Sequence, residues 1–280
     1  MRFTKMQGAG NDYVYVNCFA ENVPEAARPA LAVRVSNRNF GVGSDGLICI
    51  CPSACADFRM DMYNADGSRG AMCGNGIRCV GRYVHDRGLT DRTKLTVETP
   101  AGVKTLQLHL QDGKAVSATV DMGSPAFAAA DVPVRTEKDR FVRETVHLDG
   151  RDWSVTALSV GNPHAVIFLE EDVDSLQLER IGPQFENHPL FPERVNTEFV
   201  NVLKDGSLKM RVWERGSGET LACGTGATAV LAAATVCGYA DGEADVLLRG
   251  GTLHVRWDRA ENRLYMTGPA EFVFDGELPD

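Results

Sequence analysis

The chain lacks long apolar runs. The stretch from Ala227 to Cys237 is too short to span a bilayer, and Met1-Arg2-Phe3-Thr4-Lys5-Met6 lacks the apolar core of a signal peptide. Basic residues are too few to offset the acids: 29 Lys and Arg against 38 Asp and Glu give a formal net charge of −9, which argues against a general affinity for nucleic acid or anionic membranes. Paired C-x-x-C and H-E-x-x-H spacings are missing, so the tight group Cys49, Cys51 and Cys55 has nothing to complete a tetrahedral metal site, and no metal is expected. The eight cysteines in 280 residues are too sparse for a small stapled scaffold. Cys18, Cys79 and Cys237 sit on apolar faces and read as core. The seven lysines include none whose setting suggests a Schiff base, so no pyridoxal cofactor is expected. A cytoplasmic protein acting on a small molecule is the expectation, without nucleic-acid or membrane partners.

Apolar residues make up 44% of the sequence, enough for two compact cores. The most informative feature is a repetition. Met72-Cys73-Gly74-Asn75-Gly76 returns 150 residues later as Ala222-Cys223-Gly224-Thr225-Gly226. Before each cysteine, at the same offset, runs an alternating strand pattern, Arg59-Met60-Asp61-Met62-Tyr63-Asn64 and Lys209-Met210-Arg211-Val212-Trp213-Glu214. Turn formers follow, and after the cysteine comes a helical stretch ending at Gly88 or Gly238. The repeat extends outward: Gly10-Asn11-Asp12 and Gly161-Asn162-Pro163-His164 each precede an apolar run, and Met122-Gly123-Ser124-Pro125 is echoed by Met266-Thr267-Gly268-Pro269. Two large similar halves exclude a solenoid, which needs three or more short units. One decoy is Gly41-Val42-Gly43-Ser44-Asp45-Gly46, which fits G-x-G-x-x-G but opens the strand-like Leu47-Ile48-Cys49-Ile50 where a dinucleotide site needs a helix.

A helix amino terminus carries about half a positive charge and can lower a cysteine pKa from about 8.5 to between roughly 3.5 and 7.5. Two such cysteines facing one small anion suit proton transfer: one thiolate takes a proton from carbon and the other thiol returns one to the opposite face. Amide N–H groups at the helix starts would hold the carboxylate on which charge develops. The reaction class is a two-base racemisation or epimerisation.

In these residues the chain resembles the diaminopimelate epimerase family. The likeness runs through Met6-Gln7-Gly8-Ala9-Gly10-Asn11-Asp12, Asn64-Ala65-Asp66-Gly67-Ser68, both cysteine motifs, Gly161-Asn162-Pro163-His164, Arg194-Val195-Asn196, Glu214-Arg215-Gly216-Ser217-Gly218-Glu219-Thr220 and Tyr265-Met266-Thr267-Gly268. It implies an α/β fold of two pseudo-symmetric domains, each a mostly antiparallel sheet wrapped around a central helix. It places their bounds at 1–121, completed by the C-terminal strand 268–280, and 122–267, with the active site in the interdomain cleft. It further implies interconversion of LL- and meso-2,6-diaminopimelate, a step towards lysine and, in many bacteria, peptidoglycan, by a homodimer. By the same resemblance Cys73 and Cys223 are donor and acceptor for the LL to meso direction, labels that exchange in reverse. Asn75 and Thr225, with Gly74 and Gly224, give N–H groups to the reacting carboxylate. Asn11, Asn64, Asn162, Asn196, Glu214 and Arg215 hold the rest of the substrate, and His164 and Glu214 tune the thiols. Arg215 offers a bidentate fork for a second carboxylate.

At Gly46 the sequence departs from family members that carry a glutamine reaching the substrate. A proline racemase-like isomerase would use the same two-cysteine logic, although Glu214-Arg215 and the asparagines favour a substrate with a polar second end. A dithiol redox protein is the third reading; it requires the two Cα atoms to approach within about 7 Å.

Overall fold

The computed structural model describes residues 1–279 and is a strand-rich mixed α/β fold. It divides into two compact units, one formed by Met1–Val120 together with the chain from Thr267 onward, the other by Asp121–Met266.

The two units repeat one plan. In the first, strand Arg2–Gly8 pairs antiparallel with Asn11–Asn17, which lies parallel to Gly46–Cys51, which is antiparallel to Phe58–Asn64. That last strand is parallel to Lys94–Thr99, itself in a hairpin with Gly102–Gln111. In the second unit the same series of pairings runs through Arg151–Ser159, Pro163–Phe168, Asn196–Val202, Leu208–Glu214, Glu243–Leu248 and Gly251–Asp258. Lys94–Thr99 and Glu243–Leu248 alternate buried and more exposed residues, as a strand with one covered face does, whereas Gly46–Cys51 and Asn196–Val202 are buried along almost their whole length and so on both faces.

Helices follow the same plan. Helix α1 (Arg28–Ser36), α2 (Gly74–Asp86), α3 (Leu178–Glu186) and α4 (Gly224–Val236) form two pairs, α1 with α3 and α2 with α4, each offset by 150 residues and equal in length. Helices α2 and α4 end before Gly88 and Gly238, whose φ values of 71° and 75° lie in the left-handed region that stops a helix cheaply only at glycine.

Helix α4 has no polar face. Ala227, Ala229, Val230, Leu231, Ala232, Ala233 and Ala234 are all fully buried, and six strands of the second unit pack around it. A helix apolar on all sides must be enclosed, and alanine lets the strands come close. A second cluster beneath α3 holds Trp153, Phe185 and Phe199 in mutual edge-to-face contact, with ring centroids 5.4 to 5.8 Å apart. Such pairs add about 0.5–1.5 kcal/mol beyond their buried area. The glycine-rich segment around Gly43 leads into a strand, Gly46–Cys51, and opens no helix.

Candidate active site

Both repeated cysteines are helix N-caps. Cys73 (φ −127°, ψ 116°) caps α2 and accepts the Gly76 N–H on its sulfur at 3.3 Å; Cys223 (φ −117°, ψ 111°) caps α4 and accepts from Gly226 at 3.4 Å. In each case the cysteine carbonyl also accepts the first intrahelical bond, from Ile77 or Ala227, at 2.9 Å. Extended backbone at the cap turns the sulfur back over the helix start, where the amides point outward. The glycine three residues on is required for space. A Cβ on Gly226 would lie 2.9 Å from Glu198 Oε1, and one on Gly76 would lie 2.6 Å from Ile48 Cδ1.

Around Cys73 the first unit gathers Asn11 and Tyr13. The thiol donates to Asn11 Oδ1 at 3.1 Å, while Asn11 Nδ2 donates to Asp45 Oδ2 at 2.7 Å, so a carboxylate fixes which way the amide faces. Burial, reinforced by the neighbouring Cys73 sulfur and Asp45, pushes the Tyr13 phenol well above its usual range. Gly74 and Asn75 are the first two helical residues and are buried. Asn64 ends its strand and donates to Ser68 Oγ at 2.9 Å. Gly46 is forced to be glycine here, because a Cβ would sit 2.1 Å from the Tyr63 carbonyl oxygen.

The second unit surrounds Cys223 with more ionisable groups. Its sulfur lies 3.5 Å from Thr225 Oγ1, and Glu214, whose charge acts on the thiol, accepts the Thr220 hydroxyl on Oε1. Asn162 Nδ2 donates to Thr225 Oγ1 at 3.4 Å. His164 commits both ring nitrogens, Nε2 to Asn162 Oδ1 at 3.0 Å and Nδ1 to Glu198 Oε1 at 2.7 Å. Asn196 is engaged at both ends, donating to the Pro163 carbonyl and accepting the Arg215 amide, each at 2.9 Å. Arg215 Nη1 reaches the Glu193 carbonyl at 2.9 Å.

One expectation meets a stronger effect. The helix start favours a thiolate, yet Cys223 is only 5% exposed, and its thiol is pushed well above the usual range, first by burial and then by the charges of Glu214 and Glu198. Taking a charge out of water outweighs half a helix charge. Burial likewise raises the Glu214 carboxyl, with Glu198 adding to the shift and Thr220 opposing it.

Two residues at the site carry no motif. Tyr13 follows Asn11 by two positions, as His164 follows Asn162, so the 151-residue offset that pairs the asparagines also finds it. Glu198 has no such signal: it reads as one polar residue in an ordinary strand pattern, and its counterpart is Ile48. Cys18, Cys49, Cys51, Cys55, Cys79, Cys223 and Cys237 carry free thiols. Among the described residues no group of three or more His, Cys, Asp or Glu is arranged to hold a metal, and no helix is long and apolar enough to cross a membrane.

A family model described as diaminopimelate epimerase matches residues 3–128 and 156–273. The chain is 55% identical over 278 residues to a diaminopimelate epimerase of Acetivibrio thermocellus, covering 99% of this chain and 98% of that one. It is 54% identical over 283 residues to one of Desulfovibrio desulfuricans, with the same coverage. Among solved structures it is similar to a phenazine-biosynthesis protein of the PhzF family from Bacillus anthracis, at a TM-score of 0.74 and 19% identity over 100% of this chain and 99% of that one. A hydroxyproline epimerase from Agrobacterium vitis superposes at a TM-score of 0.70 and 15% identity, covering 99% and 90%. At those identities the likeness to the two structures is one of fold.

Proposed function

We propose, from the premise that this chain belongs to the diaminopimelate epimerase family, that it interconverts LL- and meso-2,6-diaminopimelate by two-base proton transfer between Cys73 and Cys223. The observation that carries the reading is the pair of sulfur caps, two cysteines 150 residues apart with the same backbone geometry and the same glycine donor. The chemistry requires the two sulfurs to face one α-carbon from opposite sides. The thiolate removes the α-proton, the electron pair moves into the carboxylate, and the opposing thiol gives its proton to the other face. One thiol and one thiolate remain, exchanged in place.

The upward shift at Cys223 supports a resting state in which that cysteine holds its proton. With donor and acceptor assigned by resemblance, this state is poised for the meso to LL direction, Cys223 acting as acid and Cys73 as base. Outward amides of the first turns of α2 and α4, at Gly74, Asn75, Gly224 and Thr225, suit the carboxylate on which charge develops. Asn11 and Asn162, each with a fixed amide, and Asn64, Glu214 and Arg215 suit the distal ammonium and carboxylate. Asn196, occupied by Pro163 and Arg215, acts by positioning Arg215. Glu214 acts on Cys223 directly, and His164 acts through Asn162. The reading requires no cofactor or metal and places the enzyme in the cytoplasm as a homodimer; a monomer by light scattering would remove the last element.

The deciding experiment is incubation of the reduced protein with LL-diaminopimelate or L-proline in deuterated water, following the α-proton by NMR. Exchange with diaminopimelate alone is expected. Exchange with proline alone would move the enzyme to the proline racemase reading, and no exchange with either would end the isomerase reading.

A further inference from the structure

Beneath the two caps the duplication is broken at a buried place. Under Cys73 the would-be Cβ of Gly76 faces Ile48; under Cys223 the would-be Cβ of Gly226 faces Glu198. Glu198 and its partner His164 are both completely buried. The Glu198 carboxyl has Oε1 2.7 Å from His164 Nδ1, while among the described residues nothing hydrogen-bonds to its Oε2. Burying such a group without full pairing is costly, and fold alone does not call for it, since an isoleucine fills the equivalent place in the first unit.

Hydrogen-bond accounting says what the group does. Asn162 Nδ2 is directed at Thr225 Oγ1, which leaves Asn162 Oδ1 facing His164 Nε2. A carbonyl oxygen only accepts, so Nε2 must carry the proton. Nδ1 and Glu198 Oε1, 2.7 Å apart, cannot both accept, so one further proton lies between them. With Glu198 removed, His164 is free to take the other tautomer, Nε2 becomes an acceptor, and the Asn162 amide turns over to present its oxygen to Thr225.

We infer that Glu198 is a positioning residue: through His164 it fixes the orientation of the Asn162 amide beside Thr225 and Cys223. The first unit reaches the same end with different residues, Asp45 holding Asn11 directly. The inference rests on the epimerase reading for its kinetic consequence and on hydrogen bonding alone for its structural one.

The test uses the full chain with 15N-labelled histidine, wild type beside Glu198→Gln and Glu198→Ile. In the wild type at neutral pH, His164 Nε2 is expected to be protonated. Glutamine can donate to Nδ1 and should preserve that state, leaving kcat/KM for diaminopimelate within about threefold of wild type. Isoleucine should release it and lower kcat/KM by about tenfold or more, mainly through KM, because Asn162 holds substrate. An unprotonated Nε2 in the wild type would overturn the inference, as would a folded Glu198→Ile enzyme with wild-type kinetics or equal impairment of both variants. If Glu198→Ile does not fold, the wild-type and Glu198→Gln spectra decide. If the wild type exchanges no α-proton, the epimerase reading fails while the spectra still judge the amide orientation.

Discussion

Asp61 and Arg211 occupy the same place in the two halves, 150 residues apart on equivalent strands, with opposite charges. Their partners are exchanged as well. Asp61 accepts from Arg69 Nε at 2.8 Å, and Arg211 donates from Nε at 2.8 Å to Glu219, which stands 150 residues after Arg69. The ion pair has been kept while both its ends changed sign. An intermediate with only one end changed would have set two like charges together in a buried position.

Asp61 also binds Arg28 Nη1 at 2.6 Å, and both are buried. Asp61→Asn should therefore cost about 3–5 kcal/mol in denaturant unfolding, because it removes the charge that Arg28 and Arg69 share and leaves the buried Arg28 only the more distant Glu25, 3.7 Å away. Burial acts to raise the Asp61 carboxyl, but the Arg28 and Arg69 guanidiniums prevail and hold it below the usual carboxylate range. Its contribution is thus present above an unfolded value of about 3.9 and is lost as pH falls through the lower folded one. Exchanging the pair, Asp61→Arg with Arg69→Glu, should not restore stability alone, since Arg28 would face a cation. Adding Arg28→Leu should help, because Leu178 stands at the position equivalent to Arg28, 150 residues on. Equal stability of the double and triple variants would refute this.

Cys73→Ser and Cys223→Ser separate the sulfur's two duties. A serine hydroxyl keeps the cap to Gly76 or Gly226, so melting temperatures should stay within a few degrees, whereas alanine should cost about 1 kcal/mol. Epimerisation should fall by at least about 10²-fold in all four variants. Near-full turnover in either serine variant would take that cysteine out of the chemistry.

Glu214→Gln should trade activity for stability. The Glu214 carboxyl is shifted upward, so its favourable contribution is complete below an unfolded value of about 4.3 and is lost as pH rises through the folded one. Compared with wild type, the variant's melting temperature should therefore gain as pH rises from 4 to 7, while turnover drops by about 10²-fold. A melting difference independent of pH would contradict the assignment.

Gly226→Ala should destabilise more than Gly76→Ala, although the nominal contact is closer at Gly76. Ile48 Cδ1 is the end of a flexible side chain, while Glu198 is pinned by His164. A cost of about 1–3 kcal/mol is expected at Gly226, read from chemical denaturation, and the opposite ranking would show that Glu198 can move.

Much of this was legible in the chain itself, because repeated glycines, caps and strand patterns are local signals. The strands before the cysteines, the glycine stops and the Cys73 and Cys223 helix starts all follow from residues close together in sequence. The correspondence of α1 with α3 was hidden because Arg28-Pro29-Ala30 and Leu178-Glu179-Arg180 share geometry and not residue type. The exchange of charge at Asp61 and Arg211 was hidden for the same reason. The rise at Cys223 depends first on its burial, then on Glu214, which lies in a motif, and on Glu198, a carboxylate from a strand 25 residues earlier; neither the burial nor Glu198 is encoded by a motif.

In each half the sulfur closes the first turn of a helix, and around α4 the strands are held close by alanine. A bulky group placed on Cys223 must draw its sulfur away from the Gly226 N–H, and the helix behind it has no slack to follow. Covalent blockers of this thiol should accordingly register as strain far from the point of attachment, visible as faster amide exchange at Gly226 and Ala227 and then along α4. The same residue that suits proton transfer makes the fold a reporter of its own chemical damage.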